Sequence, residues 1–68
     1  MVRVTLLGTQ RQEIFINPHQ IEYIENDKHN PTLVMLSGKR LRVMETLETV
    51  IKRIILYRRN IGIFKNEI

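Results

Sequence analysis

Thr32-Leu33-Val34-Met35-Leu36-Ser37-Gly38-Lys39-Arg40-Leu41-Arg42-Val43 is the stretch on which the fold turns. Its first five residues are apolar on both faces of an extended chain, as a strand flanked on both sides requires. Ser37-Gly38-Lys39 is hairpin-turn chemistry. Leu41 and Val43 then alternate with Arg40 and Arg42, the period of a half-buried strand. A central strand, a tight turn and a short returning strand are predicted, and the rest of the chain is read around them.

Upstream, Ile21-Glu22-Tyr23-Ile24-Glu25 is a further strand of imperfect alternation, set off by the breaker-rich stretch from Asn26 to Pro31. Gln12 to Asn17 carries Ile14 and Ile16 on one face, with Glu13 and Phe15 on the other. Asn17-Pro18 ends that run, because proline has no backbone donor and a fixed φ. Val2, Val4 and Leu6 alternate with Arg3 and Thr5 in an opening strand that Gly8-Thr9-Gln10 closes.

Downstream the period changes from 2 to 3.6. Thr46 is the predicted N-cap of a helix over about residues 46–61. Leu47, Val50, Ile51, Ile54, Ile55 and Ile61 share one face, with Tyr57 at its edge and Leu56 opposite. Glu45 and Glu48 suit the positive end of the helix dipole, and Lys52, Arg53, Arg58 and Arg59 the negative end. Asn60 or Gly62 is expected to terminate it, leaving 62–68 as a short tail. The expected class is α+β: one domain over residues 1–68, about five short antiparallel strands over 2–43, then one amphipathic helix.

Sixty-eight residues are few for a single core, which at this size rarely supplies more than ~3–5 kcal/mol. The chain has no cysteine, so neither disulfides nor thiolate metal sites can compensate. Association with another chain is the remaining device. Leu56, Tyr57, Ile63 and Phe64, surplus to a monomer's core, are the candidate self-association residues of a homo-oligomer. No apolar run approaches the ~20 residues that span a bilayer, and no signal peptide is visible at the N-terminus. No membrane insertion and a cytoplasmic location are the expectation.

Little in the chain looks catalytic. His19 and His29 stand in separate turns without metal-ligand spacing, Ser37 is turn chemistry, and Gly38-Lys39 lacks the glycines of a phosphate loop. No catalytic, cofactor-binding or metal residue is assigned, no cofactor is expected, and the expected class is non-enzymatic. The net charge of +4 permits an anionic partner. However, two Phe, two Tyr and no Trp make a poor stacking platform for single-stranded nucleic acid.

Asn17-Pro18-His19-Gln20-Ile21-Glu22-Tyr23-Ile24-Glu25 resembles the N-P-x-x-I-E-x-I-E segment of the FlbD family of small flagellar proteins, the SwrD-like swarming motility proteins. Other segments follow in register. Val4-Thr5-x-Leu7 is similar to the family's opening strand, Leu36-Ser37-Gly38-Lys39 to its hairpin, and Val43-x-Glu45 with Val50-Ile51, Ile54-Ile55 and Tyr57-Arg58 to its closing helix. The similarity covers about residues 2–59. Gly8-Thr9-Gln10 departs from the Asn-Gly pair common at the first turn, and Asp27-Lys28-His29-Asn30 from the family's usual loop. The resemblance implies a cytoplasmic accessory protein that supports motility by acting on motor power through the stator proteins. It carries over no catalytic residue.

A non-enzymatic module that binds a flagellar motor or stator protein is the leading expectation. Asn17, Glu22, Glu25, Lys39, Arg40 and Arg42 are its candidate partner-binding residues. Asn17-Pro18 is equally what a turn needs, and Glu22 and Glu25 equally what solvates a strand. The rival is a small RNA-binding regulator, since five strands followed by one helix is also the element order of CsrA-type translational repressors. Those carry an arginine just after the fifth strand, where this chain has Val43-Met44-Glu45. Nucleic acid is thus the less favoured partner.

Overall fold

A computed structural model of the chain describes residues 1–8, 10–26 and 29–66, with side chains through Asn60. Strand β1 (Val2–Thr5) pairs antiparallel with β2 (Glu13–Ile16), placing Val2 opposite Ile16 and Val4 opposite Ile14. A single 3-10 turn, Pro18–Gln20, leads into β3 (Ile21–Asn26). Asn17 caps this turn: its side chain accepts from the His19 amide at 3.0 Å, and its carbonyl from the Gln20 amide at 2.9 Å. Strands β4 (Pro31–Met35) and β5 (Arg40–Arg42) complete a second antiparallel sheet in the order β3-β4-β5. The two-sided apolar run is its central strand. In the connecting hairpin Gly38 adopts φ 88°, a left-handed conformation that favours glycine.

The five strands form two sheets, joined just beyond the ends of β1 and β5. Leu6 bridges to Val43, the Leu7 amide donates to the Arg42 carbonyl, and the Met44 amide to the Thr5 carbonyl, both at 2.8 Å. Val43, one residue past β5, serves both sheets: its amide donates to the Pro31 carbonyl of β4 at 3.1 Å while the residue bridges to Leu6.

Helix α1 (Leu47–Asn66) follows. Thr46 is its N-cap, accepting from the Thr49 amide at 3.2 Å. The helix does not stop at Asn60 or Gly62. A mid-helix glycine costs only ~1 kcal/mol relative to alanine, and no proline follows to forbid continuation, so most of the expected tail is helix. Arg53, Arg58 and Arg59 consequently lie inside the helix rather than in its last turn.

The core joins both sheets to the helix. Val2, Val4, Ile16, Leu33, Val43 and Val50 are buried together, with Ile14, Ile24, Leu41, Ile54 and Tyr57 among those packed around them. The helix stripe read from the sequence divides here. Val50, Ile54 and Tyr57 face the core, whereas Ile51 and Ile55 are 42% and 48% exposed and lie beside the exposed Leu56. The stripe is wider than the small sheet platform can cover, so its outer half stays uncovered.

Candidate functional site

The alternation along β4 determines what the second sheet presents outward. Leu33 points into the core, so Thr32 and Val34 point away from it. The register sets Glu25, Thr32 and Arg42 in one row across the three strands, and Tyr23, Val34 and Arg40 in the next. Val34 is buried on this outer face without joining the core cluster. Around it stand an exposed Tyr23 and the charged Glu25, Arg40 and Arg42. The Arg40 guanidinium donates to the Glu25 carboxylate across β4, and both side chains remain about half exposed. A shallow recess lined by Glu25, Asn26, Thr32 and Arg40 opens beside this pair.

Of the six residues singled out as partner-binding, the sheet therefore brings three together: Glu25, Arg40 and Arg42. Lys39 is exposed in the adjoining hairpin. Glu22 is exposed at a bulge, where the β3–β4 register shifts between Ile21 and Tyr23. Asn17 sits in the 3-10 turn as its cap. Tyr23 and Val34 complete the face, although the sequence marks them only as strand residues. The signal in the sequence is Val34, an apolar residue on the side of β4 that faces away from the core.

The residues considered for self-association are also dispersed. Leu56 is 53% exposed on the outer side of α1. Tyr57 is turned inward, packed against the core and edge-on to His19, with ring centroids 5.8 Å apart. Ile63 and Phe64 lie outside the residues whose side chains are described.

A second polar constellation is concealed at the junction of the sheets and the helix. Glu45 accepts from the Thr5 amide at 2.9 Å, the Thr5 hydroxyl at 3.1 Å and the Arg53 guanidinium at 2.9 Å. The same Arg53 nitrogen donates to the Arg3 carbonyl at 2.8 Å. Burial raises the Glu45 pKa, but hydrogen bonds from Thr5, from its own amide and from Arg53 outweigh it, and the net shift is downward. Glu45 therefore ties strand to helix as a carboxylate.

A family model described as FlbD, flagellar and swarming motility proteins, matches residues 1–62. The chain belongs to the FlbD family. No curated protein and no solved structure matches it. The FlbD match spans the two sheets and the helix through its first four turns, so the outer sheet face and the Glu45 junction both lie within the family domain. A role in flagellar or swarming motility follows from that membership.

Proposed function

We propose that this FlbD protein is a non-enzymatic cytoplasmic accessory of the flagellar motor, acting on a motor or stator protein through the outer face of β3, β4 and β5. The carrying observation is the composition of that face. An apolar centre, Val34 and Tyr23, is ringed by Glu25, Arg40 and Arg42. An apolar anchor with a charged rim is how protein-binding patches combine affinity with partner choice. The face is small, so it suits a weak or regulated contact.

Phosphate binding is less well supported. Arg40 is engaged by Glu25, and Arg3 pairs with Glu13 at 3.3 Å, which lowers the charge available to a nucleic acid.

Replacing the chromosomal copy with Glu25→Lys or Arg42→Glu tests the assignment. Each variant is expected to shrink the swarm zone substantially while circular dichroism and sedimentation match the wild type. Normal motility in both would remove this face from the mechanism. Tight, steeply salt-dependent binding of a defined RNA in a gel-shift titration would favour the RNA reading instead.

A further inference from the structure

The outer side of helix α1 has an order that the proposed sheet site does not use. Ile51, Ile55 and Leu56 are 42%, 48% and 53% exposed, and with Glu48, Lys52 and Arg59 they line one continuous face. Positions 48, 51, 52, 55, 56 and 59 are the i, i+3, i+4, i+7, i+8 and i+11 places of a helix, a single stripe three turns long. Its apolar centre is bounded by an acid at the N-terminal end and an arginine at the C-terminal end.

We infer that this face is an antiparallel, two-fold contact between two copies of the chain. The charge pattern selects both occupant and direction. With a dyad level with residues 53 and 54, each member of the stripe meets another member. Glu48 of one copy faces Arg59 of the second, Ile51 faces Leu56, and the stem of Lys52 covers Ile55. Each relation occurs twice, as an isologous interface demands. A parallel arrangement would set Glu48 beside Glu48 and Arg59 beside Arg59, and align the helix dipoles unfavourably. A second copy offers a counterpart to each of the six positions, with an opposite charge at both ends and apolar contact between them. The contact also supplies the association that a small, cysteine-free chain calls for. The stripe is narrow compared with the area of a permanent dimer, so association is weak and concentration-dependent.

Sedimentation equilibrium of the full chain from ~1 μM to ~1 mM in low salt tests the inference. The wild type is expected to pass from monomer to dimer within that range. Glu48→Arg and Arg59→Glu, each alone, convert two attractive relations into repulsive ones and should raise the dissociation constant about tenfold. An equimolar mixture of these two variants should dimerise again. The arginine introduced at position 48 of one chain then faces the glutamate introduced at position 59 of the other, while the native Arg59 faces the native Glu48. Leu56→Glu should abolish association in every mixture. A variant that had merely lost its fold could not be rescued by a second such variant, so the mixture separates interface from stability. A wild type that stays monomeric throughout would overturn the inference and leave the stripe to a different partner. Unchanged single variants, or a mixture that stays monomeric, would overturn the antiparallel pairing. Motility is not read in this experiment, so its outcome is independent of the sheet-face assignment.

Discussion

Two of the acid–arginine pairs in this domain share a chemistry and differ in setting. Glu45 and Arg53 lie where β1, the chain after β5 and helix α1 converge, with side chains only 11% and 29% exposed. Further hydrogen bonds join Glu45 to Thr5 and Arg53 to the Arg3 carbonyl. Glu25 and Arg40 lie on the open face of the second sheet at 45% and 57% exposure, and water competes for both. The first pair is tied to the Thr5 amide, the Thr5 hydroxyl and the Arg3 carbonyl as well, so removing one member breaks several bonds at once. The second can be removed with solvent filling in. The difference teaches that an ion pair's structural weight comes from what else depends on it, not from the pair itself.

The sharpest way to break this comparison is at Glu45. Glu45→Ala removes the acceptor for the Thr5 amide, the Thr5 hydroxyl and the Arg53 guanidinium together. Hydrogen bonds to charged groups are worth roughly 1.5–3 kcal/mol each, and they are not additive here, so a loss of about 2–3 kcal/mol is expected. For a domain this small that is a fall in Tm of roughly 10–20 °C. A thermal melt shifted by less than ~4 °C would place the junction in the same class as the exposed pair.

The pH dependence sharpens the same point. The folded-state pKa of Glu45 is lowered, so its contribution is complete above the unfolded glutamate value of ~4.3 and is lost as the pH falls through the lower folded value. The stability gap between wild type and Glu45→Gln should be widest above about pH 5 and should narrow as the solution is acidified below about pH 4. A gap that stays constant across this window in denaturant titrations would contradict the role given to the carboxylate.

None of that junction could be read along the chain, while most of the fold could. Period-2 alternation located β1, β2 and β5, a two-sided apolar run located β4, Gly38 marked the hairpin, and Thr46 marked the start of the helix, because each is a local preference expressed within a few residues. Glu45 and Arg53 were legible only as charges suited to a helix dipole. Their partner Thr5 is 40 residues from Glu45, and the backbone bonds of the β1–β5 junction bring them together. The same limit explains Ile51 and Ile55. Periodicity reports which residues share a side of the helix, but not how much of that side the sheets can cover. At Arg11, which adopts φ 46° between β1 and β2, a left-handed conformation is present without the glycine or asparagine that would announce it. The candidate sheet face was half legible. Glu25, Arg40 and Arg42 were marked by charge, whereas their adjacency to one another and to Val34 depends on cross-strand register, which no local pattern fixes.

The smallest expected effect belongs to the exposed pair. Glu25→Ala or Arg40→Ala should change stability by less than about 0.5 kcal/mol, and the double variant by no more, because exposed ion pairs rarely contribute beyond ~0.2–1 kcal/mol. The prediction bears on function through its smallness. If the face binds a motor protein, these substitutions should weaken swarming while leaving the melting curve within about 3 °C of the wild type. A stability loss matching that of Glu45→Ala would mean that Glu25 and Arg40 are structural after all, and their motility phenotype would then report folding. Unchanged stability with impaired swarming would separate the two settings: the enclosed pair holds the domain together, and the open pair is free to be used by a partner.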